Sequence, residues 1–186
     1  YMACYRSFPN STYSESCLYW SGKSLFLDTP DPRLDATSTN NAIIQLQRFV
    51  ETYPASKYRS DAEKMIYTMY DRLVEKEIGT AELYYNMGNY LGNNYRSSII
   101  VAQNALRDYP YTKYREKLSL LVLKAKFQMA QESVLEKRDD RYRDAIDEYY
   151  AFKNEFPESE HMKEADRIFR IYTKNLGNKN QIIEED

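Results

Sequence analysis

Tyr53-Pro54-Ala55-Ser56-Lys57-Tyr58 is the stretch whose reading decides the fold, because it recurs in outline three more times. The other copies are Phe8-Pro9-Asn10-Ser11-Thr12-Tyr13, Tyr109-Pro110-Tyr111-Thr112-Lys113-Tyr114 and Phe156-Pro157-Glu158-Ser159-Glu160-His161. Each copy reads as stop, turn and start. Proline disfavours α geometry in the residue before it and so ends an incoming helix. Two residues on, Ser11, Ser56, Thr112 or Ser159 offers a hydroxyl to cap the next helix. The aromatic before each proline is placed to fold back on the hairpin.

The segments leading into these turns repeat as well. Twelve positions before Pro54, Pro110 and Pro157 stand Ala42, Ser98 and Ala145; eight before stand Leu46, Ala102 and Tyr149; five before stand Phe49, Ala105 and Phe152. Steps of four and three put each trio on one helical face. A small residue there lets two helices approach, and the larger ones fill the space beyond. That is the second-helix pattern of a tetratricopeptide repeat, closed by its proline. Leu18, Ser21, Gly22 and Leu25 fit the first-helix spacing, followed by the loop Asp28-Thr29-Pro30-Asp31-Pro32-Arg33-Leu34-Asp35. The turns recur at intervals longer than the usual period of about 34 residues, so the units carry longer or extra helices.

The predicted fold is therefore all-α, a tetratricopeptide-like helical repeat solenoid (an α–α superhelix). Helices are predicted near 1–8, 12–27, 37–53, 57–77, 80–91, 95–109, 113–137, 141–156 and 160–175. Gly79-Thr80 is read as a break, and Gly92-Asn93-Asn94-Tyr95 and Asp139-Asp140-Arg141-Tyr142 as turns. Residues 1–176 are read as one domain and 177–186 as a polar, frayed tail. The chain opens in helical pattern, so its natural N-terminus is expected upstream.

Composition narrows the function. There are 19 Tyr and 7 Phe against 5 Gly and 6 Pro, which suits long helices packed through aromatic rings. A net charge of −2 with acids and bases interspersed makes no case for nucleic acid. No apolar run reaches the roughly 20 residues that span a bilayer. The glycines form no phosphate-binding loop, and there is no CxxC or HExxH, so no catalytic, cofactor or metal residue is assigned. His161, the one histidine, fills the tyrosine position of its turn and reads as structural. Asp28, Asp31 and Asp35 lack the glycine and closing glutamate of a calcium loop. Asp147, Glu148 and Glu155 with Lys153 read as a solvated face. Cys4 and Cys17 flank the Pro9 turn and face each other across it; two small buried thiols is the preferred reading, with a disulfide open in an oxidising compartment.

What remains is binding. Tyr19-Trp20, Tyr84-Tyr85 and Tyr149-Tyr150 each set two rings about 100° apart on a helix, one toward the core and one away. Tyr19, Trp20, Tyr84 and Tyr85 are the candidates to line a groove for an extended peptide. Arg143, Asp147 and Lys153 are the candidates for a polar contact with a folded partner.

Tyr53-Pro54-Ala55-Ser56-Lys57-Tyr58 with Asp61-Ala62-Glu63-Lys64, Asp71-Arg72-Leu73-Val74-Glu75-Lys76-Glu77, Ala81-Glu82-Leu83-Tyr84-Tyr85, and Leu106-Arg107-Asp108 running into the third turn resemble the BamD (YfiO) family of outer-membrane lipoproteins. The resemblance spans nearly the whole chain. It implies a lipoprotein facing the periplasm from the outer membrane, held by an N-terminal lipid anchor outside this chain. It implies a non-catalytic scaffold and substrate-recognition subunit of the machinery that folds and inserts β-barrel proteins. Its partners would be unfolded outer-membrane proteins, met by N-terminal repeats, and the central barrel subunit, met by C-terminal repeats. A generic tetratricopeptide adaptor, serving the cell wall, division or the cytoplasm, is the alternative.

Overall fold

A computed structural model describes the backbone of residues 1–183, and side chains through Ile171 and at Thr173. Among the described residues all regular structure is helical: α1 (Met2–Ser7), α2 (Ser14–Leu27), α3 (Thr37–Thr52), α4 (Arg59–Met87), α5 (Asn94–Asp108), α6 (Arg115–Gln131), α7 (Leu135–Glu155) and α8 (Met162–Ile183). No described helix is long and apolar enough to cross a membrane. By their internal contacts the residues group into two compact units, Tyr1–Lys76 and Glu77–Asp186.

The four prolyl turns have one geometry. The residue before each proline, Phe8, Tyr53, Tyr109 or Phe156, has φ between −126° and −135° and ψ between 59° and 66°, and its N–H still closes the helix onto the carbonyl four residues back. The hydroxyls of Ser11, Ser56, Thr112 and Ser159 each accept the backbone N–H two residues on, at 3.2, 3.0, 3.3 and 2.9 Å. They thus shape a serine/threonine turn, and the helix begins one residue later instead of being capped directly. His161 enters its turn through that backbone N–H, as the tyrosines do. Two turns are also tied to earlier ones. Ser56 donates to Glu15 and Ser159 to Glu116, both at 2.5 Å, and each glutamate is the second residue of the helix opened by the preceding turn.

The small-residue pattern builds the cores. Ala42, Ser98 and Ala145 are buried, as are Leu46, Ala102, Tyr149, Phe49, Ala105 and Phe152. In the first unit α2 and α3 pack Leu18, Tyr19, Leu46 and Phe49 against Ala62, Met65 and Met69 of α4. Closeness has a price here: a Cβ on Gly22 would lie 2.6 Å from Leu46 Cδ2. In the second unit Phe127 and Ala130 of α6 meet Tyr142 and Ala145 of α7 and Ile168 of α8. Nearby, Leu120 and Leu123 meet Tyr149, Phe152 and Ala165. Ser98 satisfies its buried hydroxyl on the carbonyl of Ala81 at 2.8 Å.

Two boundaries differ from expectation. Gly79-Thr80 does not break the chain; α4 runs through it, with Val74, Ile78 and Ala81 buried on its inner face. A single glycine weakens a helix by only about 1 kcal/mol, which that burial outweighs. Asp139–Tyr142 is not a turn but part of α7; the turn is Glu132–Val134, where polar contacts stand in for glycine and proline. Arg138 donates to the Ser133 carbonyl at 3.1 Å and Arg141 to its hydroxyl. The α8 backbone is described to Ile183, and the last three residues of the expected 177–186 tail lie outside the described ones. Phe8 is exposed and does not fold back, whereas Tyr53 and Phe156 rest on Phe49 and Phe152.

Candidate functional site

An open concavity lies in the first unit. Tyr1, Met2 and Arg6 of the α1 segment, Ser21, Ser24, Leu25 and Asp28 from α2 and its end, and Asn41, Ile44 and Gln45 of α3 enclose an open cleft of about 730 Å³. Its walls follow from helix periodicity: the face of α3 opposite Leu46 and Phe49 is left for Asn41 and Ile44, and Ile44 is 57% exposed. Gln45 Oε1 is buried at this cleft without a hydrogen-bond partner. Such an oxygen keeps its full desolvation penalty until a donor reaches it. The Tyr1 ring stacks with Trp20 at 6.3 Å, which places Trp20 at the rim.

Tyr19 and Trp20 divide as two rings 100° apart must. Tyr19 is 2% exposed and belongs to the core, stacked on Tyr58 at 4.4 Å with its hydroxyl donating to Asp61. It is therefore not a groove residue. Trp20, 40% exposed, is the ring that reaches solvent, with Lys23 Nζ 5.3 Å from its centroid. Burial, and then the hydrogen bond to Asp61, push the Tyr19 hydroxyl above its ordinary pKa. That same hydrogen bond holds Asp61 below the usual carboxylate value, with Lys23 adding to it. The second unit repeats the device. Tyr149 is buried, stacks on Phe169 at 4.3 Å and donates to Asp166 at 2.7 Å, with Lys153 at 3.4 Å from its hydroxyl, while Tyr150 faces out.

Tyr84 and Tyr85 are both half-buried and belong to the second unit. Tyr85 packs edge-on to Tyr95 at 5.9 Å with Lys124 near its face. Arg143, Asp147 and Lys153 are exposed on α7. Arg143 and Asp147 lie one turn apart on one face, with Asp140 3.6 Å from Arg143. Lys153 lies about a third of a turn round the helix from Asp147, over the Tyr149 ring.

A second cleft of about 460 Å³ was not anticipated. Arg96, Ile99, Ile100 and Gln103 of α5, Lys126 and Met129 of α6, and Arg141 and Asp144 of α7 line it. Lys126 is only 11% exposed and pairs with Glu148 at 2.8 Å and Asp144 at 3.4 Å. Burial pulls its pKa down, and the hydrogen-bonded carboxylates, Glu148 foremost, more than offset it, so Lys126 stays charged. Each helix gives this cleft one or two charges, none unusual in its own segment, so spacing along the chain carries no signal for it. The same holds for Gln45, an amide among many polar residues of α3.

Among the described residues no three His, Cys, Asp or Glu side chains gather as a metal group. Asp31 instead binds Arg33, and Asp35 accepts the Thr37 N–H at the start of α3, both at 2.9 Å.

An all-helical chain with four matched turns and small residues at the helix crossings is a tetratricopeptide-like helical repeat protein. The chain belongs to the YfiO family, described as outer membrane lipoprotein, whose family profile matches residues 3–138. A comparison with curated proteins gives no match.

Proposed function

We propose that the protein is a non-catalytic scaffold and substrate-recognition subunit of the outer-membrane β-barrel assembly machinery, acting at the periplasmic face. Family membership supports the setting. The observation that carries the binding role is the first-unit cleft with Gln45 Oε1 unpartnered inside it. An extended, aromatic-ended segment of an unfolded barrel precursor suits this cleft. Its apolar side chains meet Met2, Leu25 and Ile44, a backbone N–H meets Gln45, and its terminal ring adds to the Tyr1–Trp20 stack. Arg6, exposed at the cleft, supplies the cation for a chain-end carboxylate. Tyr84 and Tyr85 are secondary contacts for such segments in the second unit. Arg143, Asp147 and Lys153 of α7 make the polar contact with periplasmic domains of the central barrel subunit.

Trp20 is the only tryptophan, so its fluorescence reports occupancy directly. A synthetic peptide ending in an aromatic residue with a free carboxylate is expected to change that fluorescence saturably. Ile44→Asp and Arg6→Ala should each weaken binding by about 5- to 30-fold, as loss of one interface anchor does. Equal affinity of wild type and both variants, all folded by circular dichroism, would remove the cleft from the function.

A further inference from the structure

The α1–α2 hairpin that supplies part of that cleft's lining also carries the two cysteines, Cys4 and Cys17. Helix α1 has six residues and no buried side chain, too short to stand alone. Met2 and Tyr5 pack it against the first core, and three further contacts help to hold it. Ser14 Oγ donates to the Phe8 carbonyl at 2.6 Å, the Tyr1 ring stacks with Trp20, and Arg48 of α3 lies 5.5 Å from the Tyr5 ring centroid. The first two contacts set the antiparallel register of the α1–α2 hairpin. With Phe8 beside Ser14 at the turn and Tyr1 beside Trp20 at the far end, Cys4 falls opposite Cys17. The two thiols are near enough for Cys4 to act on the ionisation of Cys17, in keeping with that register. Cys4 is exposed and Cys17 half-buried, so the expected pair of buried thiols is instead a pair with one accessible sulfur.

We propose that Cys4 and Cys17 are a disulfide site, and that its closure clamps α1 onto α2 and fixes the wall that carries Tyr1, Met2 and Arg6 into the cleft. The proposal rests on the outer-membrane reading above, because oxidising compartments supply the electron acceptor. That acceptor is the disulfide form of a thiol–disulfide exchange protein or of a small thiol. The exposed Cys4 thiolate attacks one sulfur of the acceptor, expelling the other as thiolate and leaving a mixed disulfide. Cys17 then gives its proton to solvent and attacks Cys4 Sγ, forming the Cys4–Cys17 bond and releasing the acceptor's second thiol. Two electrons pass to the acceptor, two cysteines are oxidised, and no group is left on the chain. The order follows from the environment as well as from access. Hydrogen bonding to Cys4, then desolvation and the Cys4 charge, raise the Cys17 thiol above its ordinary pKa, which makes it the poorer first nucleophile.

Trypsin cuts after Arg6 and Lys23, so the two cysteines leave in separate peptides. The test incubates the whole chain with oxidised glutathione, alkylates residual thiols and maps the peptides by mass spectrometry. The expected product is a monomer in which peptides 1–6 and 7–23 are joined and lighter by two hydrogens. Amide exchange across Met2–Ser7 should be slower by about tenfold or more than in the reduced chain and in Cys17→Ser. Free thiols, cysteines that stop at the glutathione adduct, or chains linked to each other would overturn the site. A joined pair with unchanged exchange would overturn the clamp. Closure in the tube but reduced thiols in acid-trapped cell envelopes would instead overturn the outer-membrane reading on which the clamp's use in cells depends.

Discussion

Two glycines inside helices face opposite demands. A methyl group on Gly22 would press on Leu46, itself fully buried in the first core, whereas a Cβ on Gly79 meets nothing within 4 Å. Gly22→Ala should therefore lower stability by about 1–3 kcal/mol through overpacking. Gly79→Ala should raise it by roughly 0.5–1 kcal/mol through helix propensity. Urea unfolding of the three proteins checks both signs at once. A third glycine, Gly88, takes a positive φ of 54° just after α4, where its N–H bonds back to the helix. Tyr95 tests the electrostatics. Its hydroxyl donates to Glu132 at 2.7 Å, and burial, then that hydrogen bond, push its pKa up to about 12 from 10. A tyrosine whose folded pKa is raised stabilises fully below its unfolded value and loses that contribution as pH climbs through the folded one. The stability difference between wild type and Tyr95→Phe should thus be constant below about pH 10 and shrink between roughly pH 10 and 12. A difference that stays flat through pH 12 would remove the assigned hydrogen bond.

At the scale of elements, the prolyl turns were the most legible feature because each rests on local chemistry. Proline, a hydroxyl two residues on and a preceding helix act within six residues, and the same backbone results four times. The crossing helices were legible for a related reason, since a small residue followed at four and seven positions describes a face without reference to any partner. The link between turns was not legible: Ser56 reaches Glu15 and Ser159 reaches Glu116 across more than forty residues. Where the reading failed, at Gly79 and at Asp139–Tyr142, a local signal lost to burial or to side chains donating into the Ser133 turn. The links carry their own prediction. Ser56→Ala removes both the turn hydrogen bond and the contact to Glu15, and should lower stability by about 1–2 kcal/mol. In a double-mutant cycle with Glu15→Gln, coupling of at least about 0.5 kcal/mol is expected. Additive effects would show that the turn acts alone.

For the whole molecule, helical class and family were within reach of the chain's text, while the binding surface was only partly so. An aromatic pair on a helix sends one ring outward, but nothing local says which; Trp20 is the exposed ring and Tyr19 the inward one. The first-unit cleft draws its lining from α1, α2 and α3, so it exists only once those helices are packed. The division into two units likewise reflects contacts, not composition. The central claim, that this scaffold serves the barrel assembly machinery, is tested most directly by affinity capture of the tagged full-length protein from detergent-solubilised envelopes of its source cell, read by mass spectrometry. Recovery of a large outer-membrane barrel protein with periplasmic repeat domains, reduced when Arg143, Asp147 and Lys153 are replaced by alanine, is the predicted result. Recovery of cell-wall or soluble partners without that barrel protein would contradict the account.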